Sequence, residues 1–164
     1  MANPHSAGQP MIDFRLPATD GSMRDSAEAR RRGPLLLVFW KRTCSVCRYT
    51  FPFIERLHSF YGPRGLQVWG IAQESAGDAA VFANETGVTF PQLLDASLEV
   101  TEQYDLAAVP AVYLAESSGQ LLHGSAGFSR DGLNDIATEV ARLLRAPDHP
   151  AVQEEDAAPA RKPG

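Results

Sequence analysis

The chain has 164 residues, 44% hydrophobic and 21% charged, which is the size of one domain with enough apolar material for an ordinary core. A formal net charge of −5 excludes the clustered cationic surface that a nucleic-acid partner requires. The apolar runs are too short to span a membrane and the first residues are polar rather than leader-like, so the expectation is a cytoplasmic protein, where two cysteines read as redox or metal chemistry rather than as a structural disulfide framework.

Residues 1–10 and 147–164 are rich in Pro, Ala and polar or charged side chains without an apolar period, and read as flexible tails on one domain at 11–146. Residues 12–16 read as a short strand before a turn at Asp20-Gly21, and 25–32 as a weak helix. The run Leu35–Trp40 is unbroken apolar sequence of strand length and suits a central strand covered on both faces. Residues 45–61 have helical spacing on two faces: Val46, Tyr49, Phe53, Leu57 and Phe60 form one row, and Cys47, Phe51 and Ile54 the other. Arg48, Glu55, Arg56 and Ser59 are left for water.

Residues 66–72 are rich in β-formers, and 78–86 read as a helix stopped by Gly87. A short extended piece at 90–94 precedes a helix at 98–104. Residues 111–115 and 120–125 are strands joined at Ser118-Gly119, and Ser129 N-caps a last helix with the stripe Leu133, Ile136, Ala137, Val140 and Leu144. Strand–helix–strand–helix followed by a strand hairpin and a helix predicts a mixed α/β sheet, its early strands parallel, with helices on both faces and an N-terminal strand extension.

Cys44 follows the buried strand by a short turn and stands at the mouth of the next helix. The free N–H groups and the macrodipole there favour a thiolate over a thiol, and Lys41 and Arg42 lie just upstream. Cys47 is one turn deeper, and Cα atoms at i and i+3 are about 5 Å apart, within reach of a disulfide. The outer sulfur can attack a substrate disulfide and the inner one can resolve the mixed disulfide.

The stretch Phe39-Trp40-Lys41-Arg42-Thr43-Cys44-Ser45-Val46-Cys47 resembles the active-site turn of thioredoxin-like proteins, with Pro52 where that fold kinks its active-site helix. The later motifs, Gly70-Ile71-Ala72-Gln73-Glu74-Ser75, Gly87-Val88-Thr89-Phe90-Pro91, Asp95 and Tyr104-Asp105-Leu106-Ala107-Ala108-Val109-Pro110, are similar to the TlpA/ResA-like branch within the AhpC/TSA-redoxin group. The resemblance covers residues 12–145. It implies a thioredoxin fold and a thiol–disulfide oxidoreductase, acting as a reductase through a Cys44–Cys47 redox-active disulfide without cofactor or metal. Its partners would be disulfide-containing proteins or small thiols and an electron donor, and the protein would be a monomer. It further implies that Pro110 is a cis-proline presenting the Val109 backbone to an extended substrate. Trp40 and Thr43 would support the site, and Glu74 would exchange protons with Cys47.

This sequence departs from the thioredoxin pattern at three places. Val38 stands where thioredoxin keeps a buried aspartate, Thr43 replaces the usual tryptophan, and Ser45-Val46 lacks the common proline. Two other readings compete. A redox sensor or metal carrier would recruit His123, since His58 lies about 16 Å along the helix from Cys47 and reads as a half-buried helix histidine. A peroxiredoxin-like peroxidase needs a threonine three residues before its cysteine, and Lys41 occupies that place.

Overall fold

The computed structural model describes residues 6–164. In chain order the elements are β1 (Arg15–Pro17), β2 (Met23–Asp25), α1 (Ser26–Arg32), β3 (Leu35–Trp40), α2 (Ser45–Tyr61), β4 (Gln67–Ala72), α3 (Ala76–Thr86), β5 (Gln92–Leu94), α4 (Glu99–Gln103), β6 (Ala111–Ala115), β7 (Leu121–Ala126), β8 (Phe128–Ser129), α5 (Arg130–Leu144) and β9 (Arg161–Lys162). Five strands make the central sheet in the order β5-β4-β3-β6-β7. β3 runs parallel to β4, and β4 parallel to β5, while β6 is antiparallel to both β3 and β7. This is the thioredoxin-like α/β fold, a mixed sheet flanked by helices, that the sequence predicts.

β3 has neighbours on both sides and no exposed residue, because an uninterrupted apolar strand is stable only where both faces are covered. Val38, between Gly70 and Val112, leaves the strand beneath the cysteines without a carboxylate. α2 buries Cys47, Phe51, Ile54 and Leu57 as one stripe against the core. Gly87 ends α3 at φ 76°, a left-handed conformation that its N–H uses to bond the carbonyls of Ala83 and Asn84. Ser129 caps α5 as predicted, its hydroxyl accepting from Gly132 N–H at 3.0 Å.

The first strand is displaced from its predicted place. Ile12 exchanges hydrogen bonds with the Tyr104 hydroxyl, and Phe14 N–H donates to Ser26 Oγ, so residues 12–14 are spent on tertiary bonds and the ladder begins at Arg15. The β1–β2 ribbon joins the main sheet through an Ala18–Leu93 bridge.

The described parts of both expected tails make contacts with the domain. Residues 1–5 lie outside the described residues, but Gly8 N–H donates to Leu121 carbonyl and Gln9 carbonyl accepts from Leu121 N–H, each at 2.8 Å. Residues 147–164 are not a loose tail: they wrap the domain along α2 and α5. Tyr61 donates to Pro147 carbonyl and accepts from His149 N–H, whose ring stacks on Phe60. Asn134 makes two hydrogen bonds with Val152, and Ala151, Val152 and Ala158 are buried. Arg56, expected in water, binds Asp156 in a two-pronged ion pair at 2.7 and 3.1 Å and holds that carboxyl below its usual range. The segment ends as β9, antiparallel to β8. These partners are remote in sequence, so no local period announces them.

Gly70 makes room for a buried polar side chain. A Cβ at this position would run into the Gln92 carboxamide, whose oxygen accepts from the Trp40 indole at 2.8 Å. Gly70→Ala should therefore destabilise the fold by about 1–3 kcal/mol through overpacking, read as a lower urea midpoint with an unchanged m value and an altered tryptophan emission spectrum.

Candidate functional site

Cys44 is the N-cap of α2. Its backbone is extended at φ −90° and ψ 106°, and its sulfur accepts the N–H of Cys47 at 3.1 Å. That is the bond a serine or aspartate oxygen makes at an ordinary N-cap. The Cys44 thiol also donates to Val109 carbonyl at 3.4 Å. Cys44 is 9% exposed whereas Cys47 has no exposed surface, and both are free thiols. Burial, and next the hydrogen bond with Cys44, push the Cys47 thiol up from its ordinary value, against a smaller opposing pull from Lys41. One thiol faces the surface and its partner is kept protonated beneath it.

The turn between β3 and α2 is fixed from three sides. Cys44 N–H donates to Lys41 carbonyl at 3.1 Å, and Gln73 N–H to Trp40 carbonyl at 3.1 Å. Arg42 N–H donates to Glu74 Oε1 at 2.6 Å, and the Arg42 guanidinium reaches Asp78 at 3.1 Å. Glu74 thus braces the turn two residues before Cys44, and its carboxylate is engaged by a backbone amide. Trp40 lies in the core below, stacked on Phe82 at 4.2 Å between ring centres and set edge-on to Phe51.

Across from Cys44 the Val109–Pro110 peptide bond is cis, as the resemblance implies and against the trans form that a proline alone would suggest. A groove of about 470 Å³ separates the two sides. Thr43, Cys44, Ser45 and Val46 form one wall, Ala107, Ala108 and Val109 the other, and Pro163 and Gly164 close the end. The expected residues Cys44, Cys47, Thr43, Val109 and Pro110 are therefore brought together, with Trp40 below and Glu74 at the flank.

Sequence reasoning missed Gln92, whose signal was a glycine in the middle of a strand, a mark of close approach. It also missed Pro163 and Gly164. His58 is half-buried with its Nδ1 enclosed and without a hydrogen-bond partner, and His123 bonds Ser125 at 2.8 Å, its pKa lowered by burial. Among the described residues no three His, Cys, Asp or Glu side chains group as metal ligands, and no helix is long and apolar enough to cross a membrane.

The family model described as the AhpC/TSA family matches residues 7–123. The chain belongs to that family. The thiol-disulfide oxidoreductase ResA of Bacillus subtilis is 24% identical over 121 residues, covering 71% of this chain and 65% of ResA. The chain thus spans just under two thirds of that relative's length. The thioredoxin domain of a Bacteroides vulgatus thiol-disulfide oxidoreductase superposes with a TM-score of 0.73 at 19% identity, over 82% of this chain and 98% of that one. A secreted Mycobacterium tuberculosis disulfide oxidoreductase, homologous to Escherichia coli DsbE, superposes at 0.65 with 22% identity, over 79% and 96%.

These relatives overturn the cytoplasmic expectation. The mycobacterial disulfide oxidoreductase that shares this fold is a secreted protein. A C-x-x-C pair exchanges disulfides in oxidising and reducing compartments alike, so its presence carries no address.

The raised pKa of Cys47 sets a pH dependence for the reduced protein. Above the ordinary value of 9.0 the unfolded thiol releases its proton while the folded one keeps it. The unfolded state then binds fewer protons, so stability falls as pH rises, by up to about 1.4 kcal/mol per pH unit. Urea unfolding under reductant between pH 8 and 10.5 should show this slope, and Cys47→Ala should reduce it to the smaller one left by Tyr61 and Tyr104, whose hydroxyls burial also pushes up.

Proposed function

We propose that this protein is a thiol–disulfide oxidoreductase that reduces disulfides through Cys44 and Cys47. The observation that carries this reading is a pair of free thiols one helical turn apart, the outer one capping a helix and hydrogen-bonded to the carbonyl before a cis-proline. The Cys44 thiolate attacks one sulfur of the substrate disulfide, forming a Cys44–substrate bond and expelling the other sulfur as a thiolate. Cys47, giving up its proton, attacks Cys44, closes the Cys44–Cys47 disulfide and releases the second substrate thiolate. Two electrons and two protons pass from the dithiol to the substrate, and a reduced thiol donor restores the pair.

Burial of Cys47 suits the resolving role: it cannot be reached by a second substrate, yet it touches the sulfur it must attack. The Val109 carbonyl and Pro110 offer an extended substrate its backbone contact. Acting as a monomer, the protein would take disulfide-containing proteins or small thiols as partners. Insulin reduction driven by dithiothreitol tests the reading. Cys44→Ser should abolish turnover with the melting temperature preserved, and Cys47→Ser should accumulate a mixed disulfide visible on non-reducing gels. Absence of turnover with every thiol donor overturns it.

Glu74 acts in this reading as a positioning residue, through the Arg42 amide. Glu74→Ala should lower kcat/KM about three- to ten-fold, the equivalent of about 1 kcal/mol for one hydrogen bond. Glu74→Gln, which can still accept that bond, should restore most of the loss with an unchanged pH–rate profile. A profile shifted by Glu74→Gln would instead assign the carboxyl to proton transfer.

A further inference from the structure

The segment 161–164 lies against the groove as a peptide ligand would. β9 pairs antiparallel with the two-residue strand β8, the two forming a small ladder of their own, with Lys162 opposite Phe128 and Arg161 opposite Ser129. Lys162 Nζ sits 4.8 Å from the centre of the Tyr49 ring, which also packs edge-to-face with Phe128. Beyond β9 the backbone passes over Gly127, where a Cβ would meet the Lys162 carbonyl at 2.7 Å and the Gly164 nitrogen at 3.1 Å. Gly164 then rests on Val109, so closely that a Cβ at residue 164 would run into the Val109 carbonyl oxygen. That oxygen is the one accepting the Cys44 thiol.

We propose that β8 and the Val109 carbonyl form one continuous peptide-binding groove, that residues 161–164 fill it as a self-ligand, and that an extended segment of a disulfide-containing polypeptide displaces them to reach Cys44. Three features carry this. The occupant is extended and bonds β8 by strand pairing, the backbone-to-backbone mode in which extended peptides are held. It reaches the backbone oxygen nearest the outer sulfur. Its tip and Cys44 line the same groove, while that cysteine is left only 9% exposed. The proposal rests on the oxidoreductase reading for its substrate, but the self-occupancy is independent of turnover.

The test compares the intact chain, a chain truncated after Ala160, and Gly164→Ala, which evicts the tip from Val109 without touching the anchors at Asn134, Tyr61 or Arg56. Cys44 is labelled with a polyethylene-glycol maleimide, mapped by mass spectrometry, and insulin reduction is followed in parallel. Both altered chains should label at least five-fold faster than the intact one, with a lower KM for insulin and kcat retained. Adding the peptide Ala-Arg-Lys-Pro-Gly to the truncated chain should slow its labelling again. Equal labelling rates in all three chains, each with an unaltered melting profile, overturn the proposal. Faster labelling in chains that never reduce insulin leaves the self-ligand standing and removes the oxidoreductase reading alone.

Discussion

The site depends on a sulfur doing the work of an oxygen at the start of α2. Four amides at a helix N-terminus lack intrahelical partners, and a side chain at the N-cap ordinarily satisfies one of them. Here Cys44 does so, and the amide it takes belongs to Cys47 at 3.1 Å. The bond ties the two cysteines together before any disulfide forms, and fixes the outer sulfur at the helix start. An amide donating to sulfur serves thiol and thiolate alike and strengthens with charge. The cap therefore holds through the reduced half of a redox cycle without rearrangement of the helix.

Everything below the cap keeps that helix start in one place. β3 delivers the chain to the turn, held between parallel β4 on one side and antiparallel β6 on the other. Trp40 closes the strand and is itself held by Gln92, a carboxamide that fits only because residue 70 has no side chain. Asp95, buried and bonded to the amides of Val100 and Thr101, fixes the start of α4 in the same way. The segment after α4 carries Val109 back across from Cys44. Two polar groups deep in the structure thus set the two walls of the groove, each with its partners satisfied.

What the sequence made legible follows the range of the interactions. The buried run of β3, the two-faced spacing of α2, the glycine stop of α3 and the serine cap of α5 are all written within a few residues, and they stand where predicted. The cysteine pair is equally local. The cis bond at Pro110 came from family resemblance alone, since nothing in the residue types distinguishes it from a trans proline at a strand start. The segment 147–164 reads as loose because, apart from one local turn at Glu154–Asp156, its anchors are remote: Arg56 and Asp156 are 100 residues apart, and Tyr61 meets Pro147 across 86. A stretch without its own apolar period looks unstructured when its main anchors belong to other elements.

Those anchors divide the wrapped segment into a firm body and a light tip. The body has a two-pronged ion pair, two amide bonds from Asn134, two bonds at Tyr61 and three buried small side chains. The tip has a two-residue ladder, one cation over a ring and a contact that tolerates only glycine. Each hydrogen bond of such a ladder contributes about 1 kcal/mol net, because water or another strand replaces it on departure. An incoming extended chain brings the same donors and acceptors to β8, so exchange at the tip costs little while the body stays docked. The fold therefore keeps the occupant of its groove tethered beside it, and the ease of lifting it is set by four residues rather than by the stability of the domain.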